Sequence, residues 1–214
     1  SSDIATIGVG EATIPPIKVF NNILGITENE FLSKCNGSIK LGIQFENWKH
    51  DKHNYFHHFG KLGVDFDYIP FPYFWLKSLN DGNENGIQEY SAAWHMAKKN
   101  KFGNNFKTSQ LMSGMDYAYH FDAGLYAKFL KEYSLNLGVV HLDAKFTQAN
   151  LDSQSGFIQE LVLDSGQIIE ADFFIDCTGI RSLLLGGTLN VDFKDWSSHL
   201  LCDSAIAMQT THTS

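Results

Sequence analysis

The sequence predicts an α/β fold, and three patterns carry that prediction. Apolar residues recur at helical spacing in 17–24 and again in 125–137. Apolar and polar residues alternate over 39–46, the period of a half-buried strand. A turn signal, Asp164-Ser165-Gly166, separates two strand-like arms within 157–178, and the second arm runs on into an apolar stretch. Helices interleaved with both hairpin and buried-strand character fit neither an all-α nor an all-β protein.

In chain order, Ile4, Ala5 and Ile7 read as the tail of a strand. "GVGEATIPP" then connects it to a helix, because proline suits a first helical turn and resists a helix interior. Its glycines either serve an ordinary strand-to-helix loop or let backbone approach a large flat ligand. Ile17, Phe20 and Leu24 share one face of that helix, with Gly25 as its cap. Thr27 and Glu30 have capping-box spacing for a second helix ending near Cys35. The alternating stretch follows as one strand, with Ile39, Leu41, Ile43 and Phe45 inward and Lys40 on the polar side. Gly42 leaves open space beside Lys40, so this edge is either a solvated strand face or the wall of a channel. Residues 50–90 are rich in aromatics, histidines and turns and show no regular period. "QEYSAAWHMAKKNKF" reads as a helix. Asp122 caps another that runs to Leu137 and closes at Gly138, followed by a strand, "GVVHLDAKF". In the last arm, Phe173 to Ile175 reads as a buried strand ending in Cys177-Thr178-Gly179. It is either a plain core strand and turn or the carboxyl end at which an α/β sheet carries a ligand.

Bulk properties narrow the function. The 214 residues suffice for one large or two small domains. The net charge of −8 and the lack of a basic block argue against a nucleic-acid partner. No apolar run approaches the roughly 20 residues of a membrane span, so no membrane association is expected. Cys35, Cys177 and Cys202 are spaced for neither a disulfide framework nor a zinc site, and a reducing, cytoplasmic setting is the expectation. His53 and His57 have i, i+4 spacing without an H-E-x-x-H pattern, so no metal is expected. If that segment is extended, His57 and Phe59 face the same way and could grip a flat substrate, or simply anchor a loop. His120 lies near Asp122, but without a G-x-S-x-G elbow a hydrolase triad is disfavoured. The first residue is not Met, and the pattern is already organised near Ser1. The chain is therefore expected to be a piece of something longer.

Taken in order, "GVGEATIPP", "NGSIKLGIQFENW", "HHFG", "AYHFDAGLYAKFL", "IEADFFIDCTGIRSLLL" and "LLCDSAIA" resemble the flavin-dependent halogenases of the tryptophan halogenase family. The resemblance implies an FAD-binding fold of the flavin monooxygenase/halogenase type, incomplete at both ends. Missing are the family's N-terminal G-x-G-x-x-G loop and its W-x-W-x-I-P signature, and the chain by itself is not expected to turn over. Residues 1–36 and 110–185 would be the FAD-binding portion, interleaved with a substrate and halogenation portion, 37–109 and 186–214. Val9, Gly10, Glu11, Ala12, Thr13 and Ile14 would form a strap along the flavin, with Thr178 and Gly179 also against it. Lys40 matches the family's catalytic lysine, and His57 and Phe59 match positions lining the substrate pocket. The implied cofactor is FAD, used as FADH2 delivered by a separate flavin reductase, with O2 and halide as co-substrates. The implied reaction is halogenation of an electron-rich, indole-like arene by hypohalous acid relayed to Lys40. Two rivals stay open. One is an FAD-dependent aromatic hydroxylase, which makes no use of a distant lysine. The other is a non-catalytic flavin- or arene-binding remnant.

Overall fold

In the computed structural model, which describes residues 12–103 and 114–204, the chain forms two compact units, one within Gly10–Ser134 and one within Leu135–Ser214. The expected strand tail at Ile4, Ala5 and Ile7 lies outside the described residues. In the first unit the proline pair does start a helix, α1 (Pro16–Ile23), and Gly25 with φ +73° ends it. Its inward face differs from the expected one. Phe20 is 47% exposed, and Asn21 is buried between the half-buried Ile17 and Leu24. The reason is polar: Asn21 Oδ1 accepts from Tyr126 Oη at 2.7 Å, and its carbonyl accepts Ile26 N–H at 2.9 Å. Two satisfied hydrogen bonds make a buried amide tolerable where apolar periodicity would put phenylalanine.

Thr27 caps α2 (Glu28–Lys34), its hydroxyl accepting Glu30 N–H at 3.3 Å. Phe31 on this helix is wholly buried, with the rings of Tyr119, Phe121 and Tyr126 centred 4.9, 5.2 and 5.2 Å away. Ile26, Cys35 and Phe129 complete the core. Burial, and then the Asp122 charge, push the Cys35 thiol above its ordinary pKa, so it packs as an inert hydrophobe.

The alternating stretch is not one strand. It divides at Leu41 into β1 (Ser38–Lys40) and β2 (Gly42–Phe45), which join different ladders. β2 pairs antiparallel with β3 (Tyr55–His58), and β1 with β4 (Ala118–His120). Alternation reports that residues are extended, not which partner each half finds. The space beside Gly42 is also filled rather than open. A Cβ there would stand 2.5 Å from both the Phe56 ring and the His57 carbonyl. Gly42→Ala is therefore expected to cost about 1–3 kcal/mol, read as a lowered Tm. An unchanged Tm would mean that the Phe56 ring does not rest there.

Residues 50–90 hold more order than their lack of period suggests. Besides β3 they contain α3 (Phe71–Asn80), announced by Pro70 and Pro72 at its start. The helix expected over 88–102 is interrupted, with a 3-10 turn at Ile87–Tyr90 preceding α4 (Ala92–Lys98). Ser91 sets the break, its hydroxyl accepting Trp94 N–H at 3.3 Å. Asp122 Oδ1 likewise accepts Leu125 N–H at 2.9 Å in the first turn of α5 (Ala123–Asn136), and Gly138 follows with φ +89°.

The second unit carries an antiparallel meander of β5 (Phe146–Leu151), β6 (Ile158–Leu163) and β7 (Ile168–Glu170). The strand expected over 138–146 starts only at its last residue, Phe146. The hairpin turns as expected: Gly166 takes φ +81° and its N–H reaches the Leu163 carbonyl at 2.9 Å. The expected buried strand at Phe173–Ile175 is overturned. Those residues join no ladder, and Phe173 and Ile175 are 79% and 76% exposed. A strand is buried by its neighbours, and no described segment pairs with this one. A 3-10 turn (Gly179–Arg181) and a short π-helix (Leu183–Thr188) follow. No helix among the described residues is long and apolar enough to cross a membrane.

Candidate functional site

Lys40 ends β1, opposite Ala118 of β4. The other side of β4 holds Thr13. Thr13 N–H and Oγ1 both donate to the Tyr119 carbonyl, at 3.0 and 2.9 Å, and Tyr119 N–H donates back to Thr13 Oγ1 at 3.2 Å. That clamp fixes the Thr13 carbonyl, and Lys40 Nζ donates to it at 3.1 Å. The same ammonium lies 5.5 Å from the centre of the Phe59 ring, within cation–π range. No carboxylate among the described residues comes within ion-pair distance of it. Burial holds its pKa below that of an ordinary lysine. The result is a half-buried ammonium held by a neutral carbonyl and an aromatic face.

Lys40 forms part of the wall of a cavity of about 390 Å³, a size that fits a small organic molecule. Phe56 of β3, Met96 of α4, Phe102 and His120 line it as well. Packing holds this arrangement: the Phe56 ring lies 5.3 Å from that of Trp94, tying α4 to β3. His120 also bridges to Ala12 across an antiparallel contact. Its imidazole is held below the ordinary histidine pKa, first by burial and then by the Lys40 charge.

The sequence candidates separate into groups. Thr13, Lys40 and Phe59 come together. His57 stands beside them: its ring centre is 6.3 Å from that of buried Phe59, nearly perpendicular, and its side chain faces outward. His57 lies in β3, so the helical spacing that would let it share a metal with His53 does not exist. Ala12 and Ile14 are exposed, while Val9, Gly10 and Glu11 lie outside the described residues.

Thr178 and Gly179 belong to the second unit, in a turn organised by Asp176. Its carboxylate accepts from Thr178 Oγ1 at 2.6 Å and from the N–H groups of Thr178, Leu184 and Leu185 at 3.0, 2.9 and 3.0 Å. These bonds pull its pKa down to about 2. Gly179 takes φ +71°, with no atom within 4 Å of where a Cβ would sit. A depressed carboxylate pKa stabilises the fold above the unfolded value and loses that contribution as pH falls through the folded one. Asp176→Asn should therefore flatten the acid limb of the unfolding curve between about pH 4 and pH 2. An acid limb that is the same in both proteins would show that the turn does not depend on the carboxylate.

The tryptophan halogenase family model matches residues 1–214. The chain belongs to the tryptophan halogenase family. It is 34% identical to tryptophan 6-halogenase ThaL of Streptomyces albogriseolus and 33% identical to tryptophan 7-halogenase RebH of Lentzea aerocolonigenes. Each match covers 98% of this chain, and the chain spans only 42% of each of those relatives. Among solved structures it is similar to BrvH, a flavin-dependent halogenase from Brevundimonas sp. BAL3, with a TM-score of 0.83 and 36% identity over 89% of this chain and 39% of that one. Xcc4156, a flavin-dependent halogenase from Xanthomonas campestris, gives 0.84 and 41% over 92% and 39%. The mixed α/β fold of this tryptophan halogenase family member thus matches about two fifths of each of these flavin-dependent halogenase structures.

Sequence reasoning missed three residues of this family member that the geometry brings forward. His120 was weighed only against Asp122, yet the charge it feels is that of Lys40, 80 positions away. Met96 carries no signal in the sequence beyond its place in a helical stretch. Asp176 was the polar end of an apolar strand, although its spacing to Thr178 is an Asx-turn signal that could have flagged it.

Proposed function

We propose that the protein halogenates an electron-rich, indole-like arene, using hypohalous acid held at Lys40. The observation that carries this reading is the Lys40 ammonium itself: half-buried, without an ion pair among the described residues, and walling an aromatic-lined cavity. A lysine placed only for solubility would project into water, and one placed for stability would meet a carboxylate.

Flavin is the cofactor the family implies, and the residues present fit it. The Gly179 turn offers bare backbone facing open space, and the exposed Ala12 and Ile14 flank a Thr13 backbone pinned to β4. From the resemblance, Val9, Gly10, Glu11, Ala12, Thr13 and Ile14 are assigned to the flavin as a strap, and Thr178 and Gly179 are a separate assignment to the same cofactor. When bound and reduced by a separate flavin reductase, the flavin supplies hypohalous acid from O2 and halide. On the same reading, residues 1–36 and 110–185 serve the flavin, and 37–109 and 186–214 serve the arene. Three free thiols suit a reducing, cytoplasmic setting.

The chain's own residues do the rest. Lys40 Nζ exchanges its hydrogen bond to Thr13 for one to the oxygen of hypohalous acid, polarising the O–halogen bond. Its lowered pKa also raises the fraction of neutral amine able to carry the halogen as a haloamine. The resemblance gives Phe59 and His57 to the arene. Phe59 is buried 5.5 Å behind the Lys40 ammonium with His57 beside it, and the aromatic surface open to an arene in the cavity is that of Phe56 and Phe102. Phe56 and Phe102 help keep water from the cavity.

The test is product formation by the full protein with a flavin reductase, O2, bromide or chloride, and a panel of indoles including tryptophan. Expected is an arene in which halogen replaces one hydrogen, identified by its isotope pattern. Steady consumption of reduced flavin with no halogenated arene from any substrate would overturn the reading.

A further inference from the structure

We propose that Met96 is an internal trap for the oxidant, converted to methionine sulfoxide when no arene occupies the Lys40 cavity. This inference rests on the halogenation reading above. Its structural basis is that a thioether shares one cavity with the ammonium to which the oxidant is delivered. Met96 is half-buried on α4, a helix held by the Ser91 cap and by Trp94 against Phe56, so the side chain stays at the wall.

The chemistry of the lining singles it out. Phe56 and Phe102 carry unactivated rings that resist electrophilic halogen. Lys40, Lys101 and His120 carry nitrogens, which take up halogen reversibly and return it to a better acceptor. Sulfur instead ends the oxidant, releasing the halogen only as halide and keeping an oxygen. The Met96 lone pair removes the halogen from hypohalous acid and releases hydroxide. Water then adds to the halosulfonium, and halide leaves with two protons. The net change is thioether plus HOX giving sulfoxide plus halide and one proton. Sulfur is oxidised by two electrons, and the halogen is reduced from +1 to −1.

The product is a polar, chiral group in place of a flexible, apolar side chain. An arene in the cavity consumes the oxidant first, so sulfoxide accumulates only in unproductive cycles. Met96 thereby ties the working life of the site to the supply of substrate.

The full protein, without flavin, is treated with substoichiometric hypobromous acid and in parallel with hydrogen peroxide. Sulfoxide at each methionine is then measured by peptide mass spectrometry. Met115, half-buried in the same unit and outside the cavity lining, is the internal reference. Peroxide reports accessibility alone. Hypobromous acid should raise the Met96-to-Met115 ratio about fivefold or more above the peroxide value, and Lys40→Gln should return it to that value. The peroxide ratio of the variant checks that its cavity is intact. Equal ratios for the two oxidants, or a hypobromous ratio untouched by Lys40→Gln, would overturn the trap. A turnover arm separates the two claims. Halogenated arene with no Met96 sulfoxide after arene-free cycling defeats the trap and leaves the halogenase. Selective Met96 oxidation by reagent, with no halogenated arene in turnover, defeats the halogenase and leaves a reactive thioether beside Lys40.

Discussion

Lys40→Ala in the full protein should reduce halogenated product by at least about a hundredfold, the scale of losing one donor aimed at a developing charge, while oxidation of reduced flavin continues. Lys40 is the ammonium of this cavity that is fixed by a rigid carbonyl, and the Thr13–Tyr119 clamp makes that carbonyl rigid. Alanine leaves the β1–β4 ladder intact, because the backbone and not the side chain pairs with Ala118. The loss is thus chemical rather than structural. Lys40→Arg should rescue little, since a guanidinium keeps its charge and cannot become a haloamine. Product is measured by mass spectrometry and flavin oxidation by absorbance in the same reaction. Unchanged halogenation would remove Lys40 from the mechanism. A hydroxylated arene that persists in the variant would favour the hydroxylase, which needs its substrate beside the flavin and has no use for this lysine.

Phe31→Ala should destabilise the fold by about 3–5 kcal/mol, the usual cost of deleting a large core aromatic. Phe31 is fully buried and is the hub at which α2 meets β4 and α5, through Tyr119, Phe121 and Tyr126. The two tyrosines cannot close over the gap, because their hydroxyls are engaged elsewhere. Tyr119 Oη donates to Glu28 at 2.6 Å and Tyr126 Oη to Asn21 at 2.7 Å. Following them inward would break buried hydrogen bonds. Tyr119 also supplies the backbone that clamps Thr13, so loosening this core should blur the Lys40 site before global unfolding. Equilibrium denaturation gives the energy, and a loss below about 1 kcal/mol would mean that the rings do repack.

The legible parts of the fold were those decided within a few residues. Thr27 and Asp122 announced their helices because a cap hydrogen bond spans three positions. Pro15 and Pro16 announced α1 because the proline ring fixes its own φ, and Gly166 announced the hairpin because glycine takes a positive φ without strain. In the site, chemistry alone left Lys40 either solvated or walling a channel, and the ordered family motifs named it.

What the sequence by itself determined, then, was the α/β character, most helix starts, the hairpin and the family. Tertiary structure alone decided the rest. It split the alternating stretch at Leu41 between two ladders, turned Asn21 inward in place of Phe20, and left Phe173 and Ile175 exposed. It also brought Thr13, Met96 and His120 to the Lys40 ammonium and its cavity. The physical reason is common to all of these. Caps and turns are satisfied by neighbours in the chain, whereas strand pairing, burial and a lysine's hydrogen-bond acceptor come from segments tens of residues away, and local patterning carries no record of which segment arrives.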